Sequence, residues 1–325
     1  MSVTIQDIRE AARRVGDRVV RTPLLSSPRL DERVGGRVLL KAECLQTTGS
    51  FKLRGATNAV ARLPPGTEGV VAYSSGNHAQ GVACAAARAG LPAVIVMPAD
   101  APETKRARTA DWGAEVVLYD RQAESREAIG EAIARERGLA LVLPFDHPHT
   151  VAGQGTAGLE AVEQCAEAGA VPDQALVCCS GGGLAAGFGL AVRDAYPACE
   201  VVTVEPEHHD DAARSLAAGR RLANEAPPPS VCDALMAPSP GAVTFPILAG
   251  LGARGVTVTD AQATGAVRYA AEELRVVLEP GGAVALAAVL AGRVRTQGRT
   301  TLVVLSGGNA DAETLRTALG AHTAW

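Results

Sequence analysis

In Thr48-Gly49-Ser50-Phe51-Lys52 a lysine stands behind an aromatic residue and a tight polar turn, shortly after an apolar run at residues 38–40. An amine held there is shielded enough from water to act as a nucleophile, as Schiff-base chemistry with an aldehyde requires. A lone lysine would more simply start a helix and face water. A second segment gives this one company: Ser180-Gly181-Gly182-Gly183 follows the apolar run 175–179 and opens an Ala/Gly-rich helical stretch at Leu184. A glycine-rich turn from strand to helix exposes backbone N–H groups at the positive end of a helix dipole, and so binds phosphate without a cationic side chain. An empty αβ turn would read the same way. The segment lacks both the G-x-G-x-x-G spacing and a Walker lysine, so dinucleotide and nucleoside-triphosphate loops fit it poorly.

Three further segments carry polar groups to the ends of apolar runs. Ser74-Ser75-Gly76-Asn77-His78 follows residues 69–73 and precedes a helical stretch. Its hydroxyls and amides at a helix start suit a carboxylate. Ser306-Gly307-Gly308-Asn309 ends the run 301–305, which places the Ser306 hydroxyl at a strand's C-terminal edge, where it either faces a ligand or caps the next helix. Glu205-Pro206-Glu207-His208-His209-Asp210-Asp211 follows residues 201–204. Adjacent histidines point in different directions and no third soft ligand is evident, so zinc is a poor reading there. An acidic helix N-terminus is the plain alternative.

Taken together, the lysine segment, residues 74–81, 180–183, 279–282 and 306–309 resemble the serine/threonine dehydratase group of pyridoxal-phosphate enzymes, which shares the tryptophan synthase β-subunit fold and includes serine racemase and 3-hydroxyaspartate dehydratases. The likeness extends over nearly the whole chain. It implies pyridoxal 5'-phosphate on Lys52, with Phe51 packed on the ring, Asn77 on the phenolic oxygen, the Ser180 to Gly183 turn on the phosphate and Ser306 on the pyridine nitrogen. A hydroxyl donor leaves that nitrogen largely unprotonated, a milder electron sink suited to rapid β-elimination. It implies Ser74, Ser75, His78 and Arg126 at the substrate, and Ser75 as an acid/base opposite Lys52, a placement that also permits racemisation. Arg126 paired to Glu124 or Glu127 on a helix surface is the duller option. It further implies a divalent cation held by Glu205, Asp211 and the carbonyl of His209, and such hard oxygen ligands suit Mg²⁺, Ca²⁺ or Mn²⁺. Phe145 departs from serine racemase, which has a polar amide there, and residues 237–245 differ as well. The Phe145 departure favours a dehydratase.

The elements that must position these residues follow from the alternation of short β-rich runs (38–40, 69–73, 93–97, 115–119, 139–143, 175–179, 201–204 and 301–305) with Ala-rich helical stretches. That pattern makes βαβ units, so the expected class is doubly wound α/β; the resemblance implies two such domains, the pyridoxal-phosphate fold type II. By resemblance, residues 1–68 and 147–325 form a large cofactor-binding domain and 69–146 a small substrate-side domain. Residues 224–230, with three prolines, read as a linker. The 325 residues are 47% apolar and 3% aromatic, ample for a core of helices on a parallel sheet. A net charge of -4 with no basic stripe makes nucleic acid a poor partner. Seven scattered cysteines argue for a reducing compartment and against a disulfide framework. No signal-like start or membrane-spanning run is evident, so a cytoplasmic homodimer acting on a small amino acid is expected. With the sequence ending soon after Ser306, no isoleucine-sensing regulatory domain is expected.

The expected reaction is β-elimination of water from threonine, serine or 3-hydroxyaspartate, giving a 2-oxo acid and ammonia. Hydroxyaspartate needs a second cation near its β-carboxylate, and Arg126 is one candidate. Serine or aspartate racemisation is the first alternative. A nucleotide- or ligand-binding protein that kept the fold without the chemistry is the second, and the intact Lys52, Asn77, glycine turn and Ser306 weigh against it.

Overall fold

Runs of valine, leucine and isoleucine buried on both faces can persist only inside a sheet covered by helices on either side. The computed structural model, which describes residues 3–74 and 76–320, has two such sheets. The strands are β1 (Leu24–Ser26), β2 (Arg37–Lys41), β3 (Val70–Tyr73), β4 (Ala93–Pro98), β5 (Glu115–Tyr119), β6 (Ala140–Leu141), β7 (Gln174–Cys178), β8 (Glu200–Pro206), β9 (Arg254–Val258) and β10 (Thr300–Val304). One sheet has the order β1-β2-β10-β7-β8-β9, with only β1 antiparallel; the other has the order β5-β4-β3-β6, all parallel. Parallel neighbours joined through helices give the expected α/β class.

Each sheet has its own core, but the lysine-bearing segment serves both. Phe51 N–H donates to the Ser306 carbonyl, and Ser50 bridges Gly307, so the segment starts on the six-stranded sheet. The helix that follows, Lys52–Val60, then buries Leu53, Ala56, Ala59 and Val60 in the core beneath the four-stranded sheet. A largely buried ion network holds this helix in place. Arg54 makes a bidentate pair with Glu43, at 2.7 and 2.8 Å, and reaches Glu160, which also binds Lys41 at 2.7 Å. Removing one member of such a network strands a buried charge, so the network fixes geometry more than it adds stability.

Two expectations are corrected here. Residues 224–230 are irregular, as their prolines require, but they fold back within the larger half and link no separate bodies. Asn224 N–H bonds the Pro238 carbonyl, and the Pro228 carbonyl meets His209 Nε2 at 2.9 Å. The run 139–143 yields only the short edge strand β6: Val142 N–H still reaches the Val71 carbonyl, but Pro144 has no N–H with which to continue.

Candidate functional site

A cavity of about 390 Å³ opens at the C-terminal ends of β3, β7 and β10, between the two sheets. This is where open parallel sheets characteristically place ligands. Lys52, Phe51, Asn77, His78, Ser180 and Ser306 all line it, together with Gly181, Gly182 and Gly183. Residues far apart in sequence therefore converge on one cavity. Ser74 and Arg126 line it too, while Ser75 lies outside the described residues.

Lys52 is the first residue of its helix, and its Nζ donates to the Pro144 carbonyl at 2.8 Å. Burial pushes its pKa down to about 8. At neutral pH an appreciable fraction of such amines is unprotonated, which an exposed lysine cannot match.

The glycine turn is held bare from both sides. Gly182 has φ +90, a conformation that only glycine adopts without strain, and it caps the helix Gly183–Ala195. A side chain on Gly181 would meet the Phe145 ring at 2.2 Å, so the phenyl lies flush on the turn. From the other side, Thr244 Oγ1 and Gly241 N–H donate to the Gly181 carbonyl, and Ser180 Oγ accepts from Ala237 N–H at 3.0 Å. The segment 237–245 that differs from the racemase pattern thus braces the turn. Its own anchor is Asp146, whose carboxylate accepts from Ala242 and Val243 N–H. The first N–H groups of the helix have no intrahelical acceptor and remain for an anion.

Ser306 is 4% exposed. Its Oγ accepts from Cys178 Sγ at 3.2 Å, which leaves the hydroxyl hydrogen to donate into the cavity. Asn77 is clamped: its Nδ2 donates to Glu279 Oε1 and its Oδ1 accepts from Asn309 Nδ2 at 2.7 Å, so one amide hydrogen is left over. The Ser74 hydroxyl accepts from Gly76 N–H at 3.2 Å and shapes the turn ahead of the helix Asn77–Arg88. His78 is buried. Its Nε2 must donate to the Val142 carbonyl, 2.9 Å away, leaving Nδ1 bare, and burial pushes its pKa down to about 3. It therefore offers a substrate carboxylate no positive charge.

Sequence reasoning missed one member of this cluster. Glu279 is buried against Gly307, where a Cβ would lie 2.1 Å from its Oε1, and burial pushes its pKa up to about 7. Its segment, 279–282, belonged to the resemblance without a role attached, and the Pro-Gly-Gly that follows an acidic residue was the available signal. Lys105 and Asp233 were missed as well; they form a 2.9 Å ion pair at the cavity and come from opposite halves of the molecule.

The acidic segment lies elsewhere. Glu205 accepts from Ala212 and Ala213 N–H, at 2.9 and 2.7 Å, at the start of the helix Asp211–Ala218. The helix-terminus reading is thus realised. Burial and the neighbouring Asp211 push its pKa well up. Asp211 accepts from Asn224 through Oδ1, its Oδ2 is buried without a partner, and burial pushes its pKa up to about 6. Among the described residues no group of three or more His, Cys, Asp or Glu side chains gathers as metal ligands. The His209 ring is turned to Pro228.

Residues 15–307 match the family described as "Pyridoxal-phosphate dependent enzyme". The chain is 38% identical to an L-threo-3-hydroxyaspartate ammonia-lyase of Saccharomyces cerevisiae, over 95% of this chain and 94% of that protein. It is 37% identical to a serine racemase of Schizosaccharomyces pombe, over 95% of each. The crystal structure of a threonine deaminase from T.th. superposes with a TM-score of 0.90 at 46% identity, covering 95% of this chain and 99% of that one.

Proposed function

We propose, from the premise that the chain belongs to the pyridoxal-phosphate-dependent enzymes, that it removes water from a hydroxyamino acid (threonine, serine or 3-hydroxyaspartate) and so yields a 2-oxo acid and ammonia. The observation that carries this reading is the desolvated Lys52 amine in a cavity that also holds a bare glycine turn and a free Ser306 hydroxyl. Pyridoxal phosphate, when bound, supplies a ring that accepts the electron pair of the substrate's α C–H bond. The residues present fit it. Lys52 would hold its aldehyde carbon, the amides at Gly181 to Gly183 its phosphate, Ser306 its ring nitrogen, Asn77 its phenolic oxygen and Phe51 one face of its ring.

With its amine free, Lys52 would remove the α-proton, for which a pKa near the working pH suits it. The N-terminus of the helix Asn77–Arg88 receives the α-carboxylate through its first backbone amides. The C–O bond to the β-hydroxyl then breaks, and the hydroxyl departs with a proton as water. The released enamine hydrolyses to the 2-oxo acid and ammonia. Racemisation would need a second base opposite Lys52, the role expected of Ser75. The Phe145 ring on the glycine turn supports elimination as the main reaction.

The division into residues 1–68 with 147–325 and residues 69–146 is supported by the four-stranded sheet, whose strands all fall between Val70 and Leu141. A divalent cation at Glu205 and Asp211, with the His209 carbonyl, is supported by two neighbouring buried carboxyls and the unpartnered Asp211 Oδ2. A cytoplasmic location is supported by seven buried free thiols. We place a homodimer in the same proposal.

Lys52→Ala tests the reaction. It should abolish 2-oxo acid formation while leaving the fold and thermal unfolding nearly unchanged. Borohydride should bleach the yellow wild-type protein and leave the cofactor on Lys52. Substantial turnover by Lys52→Ala overturns the reading.

A further inference from the structure

The cavity wall formed by the four-stranded sheet carries three cations besides Lys52, and they differ in how firmly they are held. Lys105 is engaged by Asp233 at 2.9 Å and is largely buried. Arg121 meets Asp100 through two nitrogens, at 2.9 and 2.8 Å. Among the described residues Arg126 has only one ion-pair partner, its sequence neighbour Glu127, at 2.8 Å, in a pair about half exposed on both sides. Both exposed pairs hold their side chains weakly, the Arg121 pair being the more exposed at 51% and 63%, but Arg121 grips its carboxylate through two nitrogens where Arg126 engages Glu127 through Nε, so the terminal nitrogens of Arg126 are the ones that a substrate anion can recruit.

What keeps that guanidinium at the cavity is Tyr73. The tyrosine ends β3, lines the cavity, and carries the Arg126 guanidinium 5.8 Å from its ring centroid. The helix Arg126–Arg137 makes room for the ring by omitting a side chain. At Gly130, four residues along and on the same helix face as Arg126, a Cβ would lie 2.9 Å from Tyr73 Cδ1. Cation, ring and vacated helix position form one packed unit at the mouth of the site. The α-carboxylate already has the N-terminus of the helix Asn77–Arg88, so a cation here serves a second anionic group.

We propose that Tyr73 is a positioning residue for substrate choice: it seats Arg126 where the guanidinium receives a carboxylate on the substrate's β-carbon, so that this cavity selects dicarboxylic hydroxyamino acids. The inference rests on the dehydratase reading and narrows it to one substrate class.

The test measures kcat and KM of the purified holoenzyme with L-threo-3-hydroxyaspartate and with L-serine. Wild type should prefer hydroxyaspartate. Tyr73→Leu should lower the ratio of the two kcat/KM values about tenfold or more, chiefly through the KM for hydroxyaspartate, and Gly130→Ala should lower it by displacing the ring. Tyr73→Phe, which keeps the ring, should hold the ratio within about threefold of wild type. An equal loss on both substrates in Tyr73→Leu and Gly130→Ala would make Tyr73 merely structural and overturn the inference. So would a wild type that turns over serine without preferring hydroxyaspartate. If wild type forms a 2-oxo acid from neither substrate nor from threonine, it is the dehydratase reading that fails.

Discussion

Glu279 shows what burial does to a single group. Its carboxyl is displaced from the ordinary 4.5 to about 7, first because it is buried, with the Asn77 bond opposing the rise. A carboxyl whose pKa is raised on folding binds its proton more tightly in the folded state. Its contribution to stability is therefore full below about pH 4.5 and is lost as pH rises through about 7. The cofactor-free protein should lose up to about 3 kcal/mol from this group between those limits, and Glu279→Gln should flatten that part of the stability profile. Denaturant unfolding of both proteins at several pH values measures it, and parallel profiles would remove Glu279 as the source. At this scale the sequence was legible where a residue sits inside a distinctive string, as Lys52, Asn77 and Ser306 do. Glu279 and Tyr73 escaped because their meaning comes from neighbours: Asn77 lies 202 positions away from the first, and Arg126 needs a helix turn and the bare Gly130 to reach the second.

The long helix Pro148–Glu167 crosses the helix Gly183–Ala195, which carries the glycine turn, and the crossing is built on glycines. A Cβ on Gly187 would stand 2.3 Å from the Val151 carbonyl and 2.7 Å from Gly155 N, both backbone atoms that cannot step aside. Gly187→Ala gains helix propensity of at most about 1 kcal/mol. It should nevertheless destabilise by about 1–3 kcal/mol and weaken pyridoxal-phosphate binding, because the helix that presents the turn must shift. Gly250, with open space around its Cβ position, is the control, and Gly250→Ala should be neutral or slightly stabilising. Thermal melts and cofactor titration compare the two; equal melting would mean the crossing has slack. Of the eight strands read from apolar runs, β2, β3, β4, β7, β8 and β10 were legible because each is long enough to be buried on both faces, whereas β5 and β6 are only partly covered. β1 has three residues behind Pro23, and β9 opens on Arg254-Gly255 at a sheet edge, so neither carries the compositional mark of a covered strand. Gly255 is instead where the helix Asp211–Ala218 comes close, with Ala213 Cβ 2.3 Å from a would-be Cβ.

Across the whole molecule, the proposed cation at Glu205 and Asp211 is coupled to folding because the two carboxyls share a buried corner next to the Asp211–Ala218 helix. A cation that binds only the folded state stabilises it by mass action. Chelation should lower the thermal midpoint, magnesium or calcium should restore it, and Asp211→Asn should be insensitive to both. A wild type indifferent to chelator and cation leaves the segment as helix capping alone. The two-sheet plan was visible in the alternation of runs. The ion network of Arg54, Glu43, Glu160 and Lys41 was not, since no local pattern announces charges that meet only after β2 and two helices have packed.

The strands of the smaller sheet form one unbroken stretch of chain, from Val70 to Leu141, and that stretch supplies Tyr73, Lys105, Arg121 and Arg126. The glycine turn and Ser306 come from the sequence on its far side, and Lys52 from the sequence before it. A single gene cassette therefore encodes the substrate-facing wall and, of the groups that would anchor the cofactor, Asn77 alone. Recombination at its two ends can exchange selectivity among relatives while the chemistry stays intact, provided the donor cassette still packs on Leu53 and Ala56 of the lysine helix.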